Sequence, residues 1–349
     1  MPCTDERVPP APNPARRTLL NNPDDLVTEA LRGLELAHPH LVRCHLDPAF
    51  AIRARRPEQP KVALVSGGGS GHEPLHTGFV GVGMLDAAVP GAVFASPTAY
   101  QILAAIQAAD QGHGVLLIVK NYTGDVLNFA IAAELAADEG IAVETVLVDD
   151  DLATTPSDEE TGRPGRRGTA AVVAVEKICG AAAEAGASLA EVADLGCRVV
   201  ASARTMALAL AACTHPGQHQ PSFELSSAEV EYGVGIHGER GTGVLPFGPA
   251  RELVEALVAP IVAALELTTG DPVITIVNGL GSAHPLELSL VHHELCDVLA
   301  TRGITPARAL VGSCVTALDM HGCSITLLRA TDEILRLWDA PVRTSALTW

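Results

Sequence analysis

Residues 61–74 read KVALVSGGGSGHEP: an unbroken apolar run from Val62 to Val65, then Gly67, Gly68, Gly69 and Gly71, then a His-Glu pair. A run apolar at every position reads as a strand buried on both faces, and such strands belong to parallel sheets covered by helices. Working outward, MLDAAVPGAVF reads as a strand, SPTAYQILAAIQAAD as a helix capped by Ser96, GVLLIVK as a strand, DVLNFAIAAELAADEG as a helix and AVETVLV as a strand. That alternation predicts a doubly wound, largely parallel sheet, with ligands at the carboxyl ends of its strands.

The flanks extend this plan. LLNNPDDLVTEALRGLELAHP carries Asn and Asp caps before a helical pattern, and an Ala-rich helical region is expected from Thr169 to about Ala212. Between them, Asp149–Gly168 reads as a solvated polar loop, its acids lacking the spacing of a metal-binding loop. DPVITIVNGLGSAHPLEL repeats the order strand, glycine turn, His-Pro, which supports a second α/β unit. The fold class is therefore two α/β domains. A disordered tail is placed at 1–18, an N-terminal domain at 19–200 and a C-terminal domain at 201–349, with the final strand and helix free to pack back on the first domain. The ligand site is expected near the junction.

Composition narrows the function. At 349 residues, 48% hydrophobic and 18% charged, with no long apolar run, the chain reads as a globular protein that does not span a membrane. A net charge of -18 without any Lys/Arg block argues against nucleic acid as a partner. Eight cysteines without a Cys-x-x-Cys pair read as core residues, and no metal site is expected. The N-terminal MPCTDERVPPAPNPARR lacks the apolar stretch of a signal peptide, which points to the cytoplasm.

Three segments gather reactive groups at strand ends or glycine turns. In GGGSGHEP the glycines let a ligand approach the backbone, and His72 stands at the rim; no Lys-Ser or Lys-Thr follows, so this is not a P-loop. In KNYTGD, Lys120 ends a strand, and Asp125 reads equally as a helix N-cap or as a catalytic base. In GIHGERG, His237 sits between glycines. The match of Gly233, Gly235 and Gly238 to a dinucleotide fingerprint lacks its setting, because FELSSAEVEY before it is charged and ERGTG cannot open a helix. Taken singly, each group also has an ordinary structural explanation. Their convergence favours a site.

These motifs, with GRRG, HPGQHQPSFEL, VNGLG, LDMHGCSITLL and a terminal tryptophan, resemble the substrate-binding K subunit of dihydroxyacetone kinases, in order from about residue 20 to Trp349. The resemblance implies a ketose held as a covalent hemiaminal on His237, with His72 and Asp125 as acid-base groups. It implies substrate contacts from Gly69, Ser70, Gly71, His72, Lys120, Asp125 and His237. It further implies a cytoplasmic homodimer that itself binds no cofactor. A separate L subunit would carry Mg-ATP or Mg-ADP, the latter rephosphorylated by a phosphotransferase-system donor. The substrate expected is dihydroxyacetone, with erythrulose or apulose as alternatives; a non-catalytic ketone sensor or transcriptional coactivator is the reading outside enzymes. Arg240 replaces the family's usual proline after GIHGE and either meets a different substrate or faces water, with water favoured; His284 is assigned no role.

Overall fold

The structure is a computed structural model that describes residues 18–154 and 165–349. The expected tail, apart from its last residue, and the middle of the 149–168 loop lie outside the described residues. In chain order the first half holds α1 (Leu26–Ala37), β1 (Val42–Leu46), β2 (Ala49–Arg53), β3 (Ala63–Ser70), β4 (Gly81–Val82), β5 (Ala87–Val93), α2 (Ala99–Ala109), β6 (Val115–Lys120), α3 (Thr123–Asp138), β7 (Val143–Val148), α4 (Ala171–Glu184) and α5 (Leu189–Ala201). The second half holds β8 (Ala203–Ala211), β9 (Glu229–Tyr232), β10 (Gly243–Pro246), α6 (Ala250–Ala264), β11 (Pro272–Gly279), α7 (Pro285–Thr301), β12 (Thr305–Gly312), β13 (His321–Arg329), α8 (Asp332–Trp338) and β14 (Arg343–Thr344).

The mixed α/β class and the parallel-rich first sheet are as expected. That sheet runs β1-β2-β5-β3-β6-β7, with β3 parallel to both neighbours, β6 parallel to β7, and the β1–β2 hairpin joined antiparallel at one edge. Its period-2 alternation is complete. Ala63, Val65, Val115 and Leu117 share a core with Ile102 and Ile106 of α2 and Phe129 of α3, while Leu64, Leu116 and Ile118 share the opposite core with α4. The second sheet, β10-β9-β8-β13-β11-β12, is antiparallel except for the β11–β12 pair. Met206, Leu208, Ile325 and Leu327 pack with α6 and α7 on one face; Ala203, Ala207, Ala209 and Ile276 join the α4 core on the other.

Helix α4 therefore stands between the sheets, and every residue from Ala171 to Ala183 is buried, including Glu176 and Lys177. The C-terminal segment closes over its far side. Trp338 of α8 is fully buried, β14 pairs with β4, and Lys177 Nζ lies 5.6 and 4.8 Å from the ring centroids of Trp338 and Trp349.

Three local expectations change. The Ala-rich region is not helical to Ala212: α5 ends at Ala201, and residues 203–211 form β8, whose small alanines fit the narrow space against α4. Thr98, not Ser96, caps α2, in a reciprocal capping box with Gln101. The charged stretch before GIHG contains the short strand β9, in which Val230 and Glu231 are buried.

Candidate active site

The carboxyl ends of β3 and β6, the first turn of α3 and the loop between β9 and β10 bring His72, Lys120, Asp125 and His237 together. The glycines act first as space. A Cβ on Gly67 would meet Val89 O at 2.5 Å, and one on Gly69 would lie 2.9 Å from Phe94 Cα. At Gly68 it would fall 2.5 Å from Lys120 Nζ and 3.4 Å from Asp125 Oδ2. Gly67 to Ser70 are thus the end of a buried strand, not a free turn. Donors of the expected nest are partly engaged: Ser70 Oγ donates to Gly91 O (2.7 Å), and the Gly71 amide donates to the Glu73 carboxylate (3.0 and 3.2 Å).

His72 is buried, and its Nδ1–H donates to Thr316 O at 2.7 Å, which leaves Nε2 bare. That bare nitrogen faces His237 Nε2 at 3.3 Å, so in this contact His237 carries its proton on Nε2. Burial, reinforced by His237 and Lys120, pushes the His72 imidazole well below its ordinary range. Burial also lowers His237, against the pull of the Glu239 carboxylate, and both rings are neutral at neutral pH. Phe94 stacks on His72 with centroids 5.2 Å apart, while Tyr122 and Phe94 stand edge-on to His237 at 4.4 and 5.4 Å.

Lys120 is fully buried; its Nζ lies 2.9 Å from His76 Nε2 and 3.4 Å from Gly67 O. Burial depresses the ammonium, and the Asp125 and Glu176 carboxylates oppose that. Asp125 is not the helix cap, a place Tyr122 takes; it lies buried in the first turn of α3.

Several participants carried no clear signal in the sequence. Arg167 donates to Asp151 (2.7 Å), to Glu239 (2.9 Å) and to Gly233 O (3.0 Å), and Glu239 in turn accepts from the His237 amide (2.8 Å). Buried Asp151 and part-buried Arg167, near the two ends of the 149–168 loop, therefore anchor the His237 turn instead of facing solvent. His76, four residues after His72, was in plain view but unremarkable; its partner Glu176 comes from α4. Arg240 points away, its guanidinium 5.4 Å over Phe223 and its NH2 bonded to Glu224 O (2.9 Å), and His284 is an exposed residue at the start of α7. Among the described residues no group of three or more His, Cys, Asp or Glu side chains is placed to hold a metal ion, and no helix is long and apolar enough to cross a membrane.

Fold and site together define a class: an α/β protein that gathers a neutral imidazole pair, a buried lysine and a buried carboxylate at the ends of its strands. The family model described as the Dak1 domain matches residues 32–346, and the chain belongs to that family. It is 44% identical to the PEP-dependent dihydroxyacetone kinase, dihydroxyacetone-binding subunit DhaK of Escherichia coli (strain K12), over 95% of this chain and 99% of that protein. It is 46% identical to the corresponding subunit of a PTS-dependent dihydroxyacetone kinase of Listeria innocua, over 91% of this chain and 95% of that one. Among solved structures, the dihydroxyacetone kinase operon co-activator Dha-DhaQ superposes with a TM-score of 0.85 at 33% identity, covering 91% of this chain and 97% of that one. The dihydroxyacetone kinase of C. freundii superposes with a TM-score of 0.84 at 36% identity, covering 94% of this chain and 60% of that one.

Proposed function

We propose that this chain is the ketose-binding subunit of a dihydroxyacetone-type kinase, a phosphotransferase acting on an alcohol group. The observation that carries the reading is the 3.3 Å approach of two neutral imidazole nitrogens, His72 Nε2 and His237 Nε2, beside buried Lys120 and Asp125. A small ketose offers little apolar area, so a reversible covalent bond is an effective way to hold and orient it. His237 Nε2 attacks the ketone carbon as its proton passes to His72 Nε2; the carbonyl π pair moves to oxygen, which takes the proton from His72. The product is a neutral hemiaminal. The Lys120 ammonium stabilises the oxygen as charge develops. Asp125 then accepts the proton of the terminal hydroxyl as that oxygen attacks the incoming phosphoryl group.

The phosphoryl group comes from a partner, an L-type subunit with Mg-ATP, or with Mg-ADP recharged by a phosphotransferase-system protein. This reading is supported by the near full-length likeness to dihydroxyacetone-binding subunits of PEP- and PTS-dependent kinases. It places the protein in the cytoplasm, as a homodimer with no cofactor of its own. The test is carbon NMR of dihydroxyacetone labelled at C2 and bound to the protein. We expect the bound carbon to move from the carbonyl to the tetrahedral region, and His237→Asn to abolish the move. No tetrahedral carbon with the wild type, or one that survives His237→Asn, overturns the proposal. The co-activator likeness supports a second reading, a ketone sensor. Adduct formation without turnover, when a competent L subunit and donor are supplied, would select it.

A further inference from the structure

Behind Lys120 lies a line of buried polar groups that the chemistry above does not use. His76 Nε2 is 2.9 Å from Lys120 Nζ, and its Nδ1 is 2.6 Å from Glu176 Oε1 and 3.0 Å from Ser66 Oγ. Glu176, Lys120 and Ser66 are fully buried and His76 is nearly so. The void lined in part by His76 and Gly68 measures about 10 Å³, about the space one water needs.

Two proton placements satisfy these contacts equally. In one, the Lys120 ammonium donates to a bare His76 Nε2, and His76 Nδ1–H donates to the Glu176 carboxylate. In the other, a neutral Glu176 carboxyl donates to His76 Nδ1, and His76 Nε2–H donates to a neutral Lys120 amine. Passing from the first to the second moves one proton from Lys120 Nζ to His76 Nε2 and another from His76 Nδ1 to Glu176 Oε1, with no change in total charge. Neither placement is remote. Burial raises the Glu176 carboxyl to about 8, and its Oε2 has no hydrogen-bond partner among the described residues, which penalises the carboxylate. The other titratable groups facing the line are Asp125 from α3, His72 after β3 and His237 from the loop after β9. Of these only Asp125 supplies negative charge to Lys120.

We propose that Glu176, acting through the tautomer of His76, sets the charge of Lys120, and that Asp125 throws this internal switch. Glu176 and His76 are thus positioning residues for Lys120. While Asp125 is ionised the ammonium is present; once Asp125 has taken up a hydroxyl proton, the lysine proton retreats toward Glu176, and the buried line holds no separated charges. The inference deepens the kinase-subunit reading, since Lys120 is there a ligand of the ketose.

The test is nitrogen NMR of histidine-labelled protein, with the His76 signals identified by their loss in His76→Gln. In the wild type we expect His76 protonated at Nδ1. In Asp125→Asn we expect it protonated at Nε2, and with Glu176→Gln added the response should vanish. Should Asp125→Asn not fold, Asp125→Ala carries the same comparison. A His76 that keeps one tautomer in both wild type and Asp125→Asn, or that switches equally with Glu176→Gln, overturns the proposal. Saturating dihydroxyacetone forms a separate arm. If it leaves the His237 signals unchanged the kinase reading fails, while the Asp125 comparison still judges the switch.

Discussion

Lys120 points where it does because residue 68 has no side chain. Its ammonium lies 2.5 Å from the place a Cβ would occupy, with Asp125 just beyond, and the lysine is fully buried. Gly68→Ala should therefore displace Lys120. We expect it to lower stability by about 1–3 kcal/mol and to weaken ketone binding at least ~10-fold while the fold persists. Urea unfolding and calorimetric titration with dihydroxyacetone would measure the two effects; unchanged binding would show that Lys120 does not touch the ligand. The residues readable in the sequence were His72, Lys120 and His237, each just past or at a strand end or beside glycines, and Asp125, which follows Gly124 at the start of a helix. Glu176 was hidden for the opposite reason: the acid lies in AVVAVEKICGAAAE, where the Ala-rich setting suggests a helix and nothing indicates which sheet edge its carboxylate reaches.

Among the elements, α4 carries the most constraint. At Gly180 a Cβ would meet Gly83 O at 2.5 Å and Met84 Cα at 2.7 Å, so the helix backbone rests directly on the turn before β5. On propensity alone, Gly180→Ala should stabilise an exposed helix by about 1 kcal/mol. Here the clash dominates, and a net loss of about 1–3 kcal/mol is expected in chemical denaturation; a gain would mean that α4 can lift away from the sheet at little cost. The first sheet was readable because Val62–Val65 and Val115–Val119 are apolar at every position, a pattern only a doubly covered strand requires. Strand β8 was not, because ARTMALALA suits a helix as well as a strand. What decides it is tertiary: Met206 and Leu208 face α6 while Ala207 and Ala209 face the α4 core, an arrangement with period 2.

For the molecule as a whole, buried neutral histidines tie folding to pH. His72 and His76 are both held well below the ordinary imidazole value by burial. Below about pH 6.5 the unfolded chain binds protons at these positions that the folded chain refuses, so stability is full above that pH and falls as acid is added. Each histidine should contribute a loss of up to about 1.4 kcal/mol per pH unit until its folded-state value is reached. Urea unfolding at about pH 7.5 and about pH 5.5 should show this decline in the wild type and a shallower one in a His72→Gln, His76→Gln double variant; equal slopes would place both rings in contact with water. The chain's two tryptophans, Trp338 and Trp349, both sit against the middle of α4 with Lys177 between them, their rings 5.7 Å apart. Indole emission from this protein thus has a single address: it reports whether the last segment is seated on α4, and a change in fluorescence on adding a ketose would be news carried from the imidazole pair to the far side of that helix.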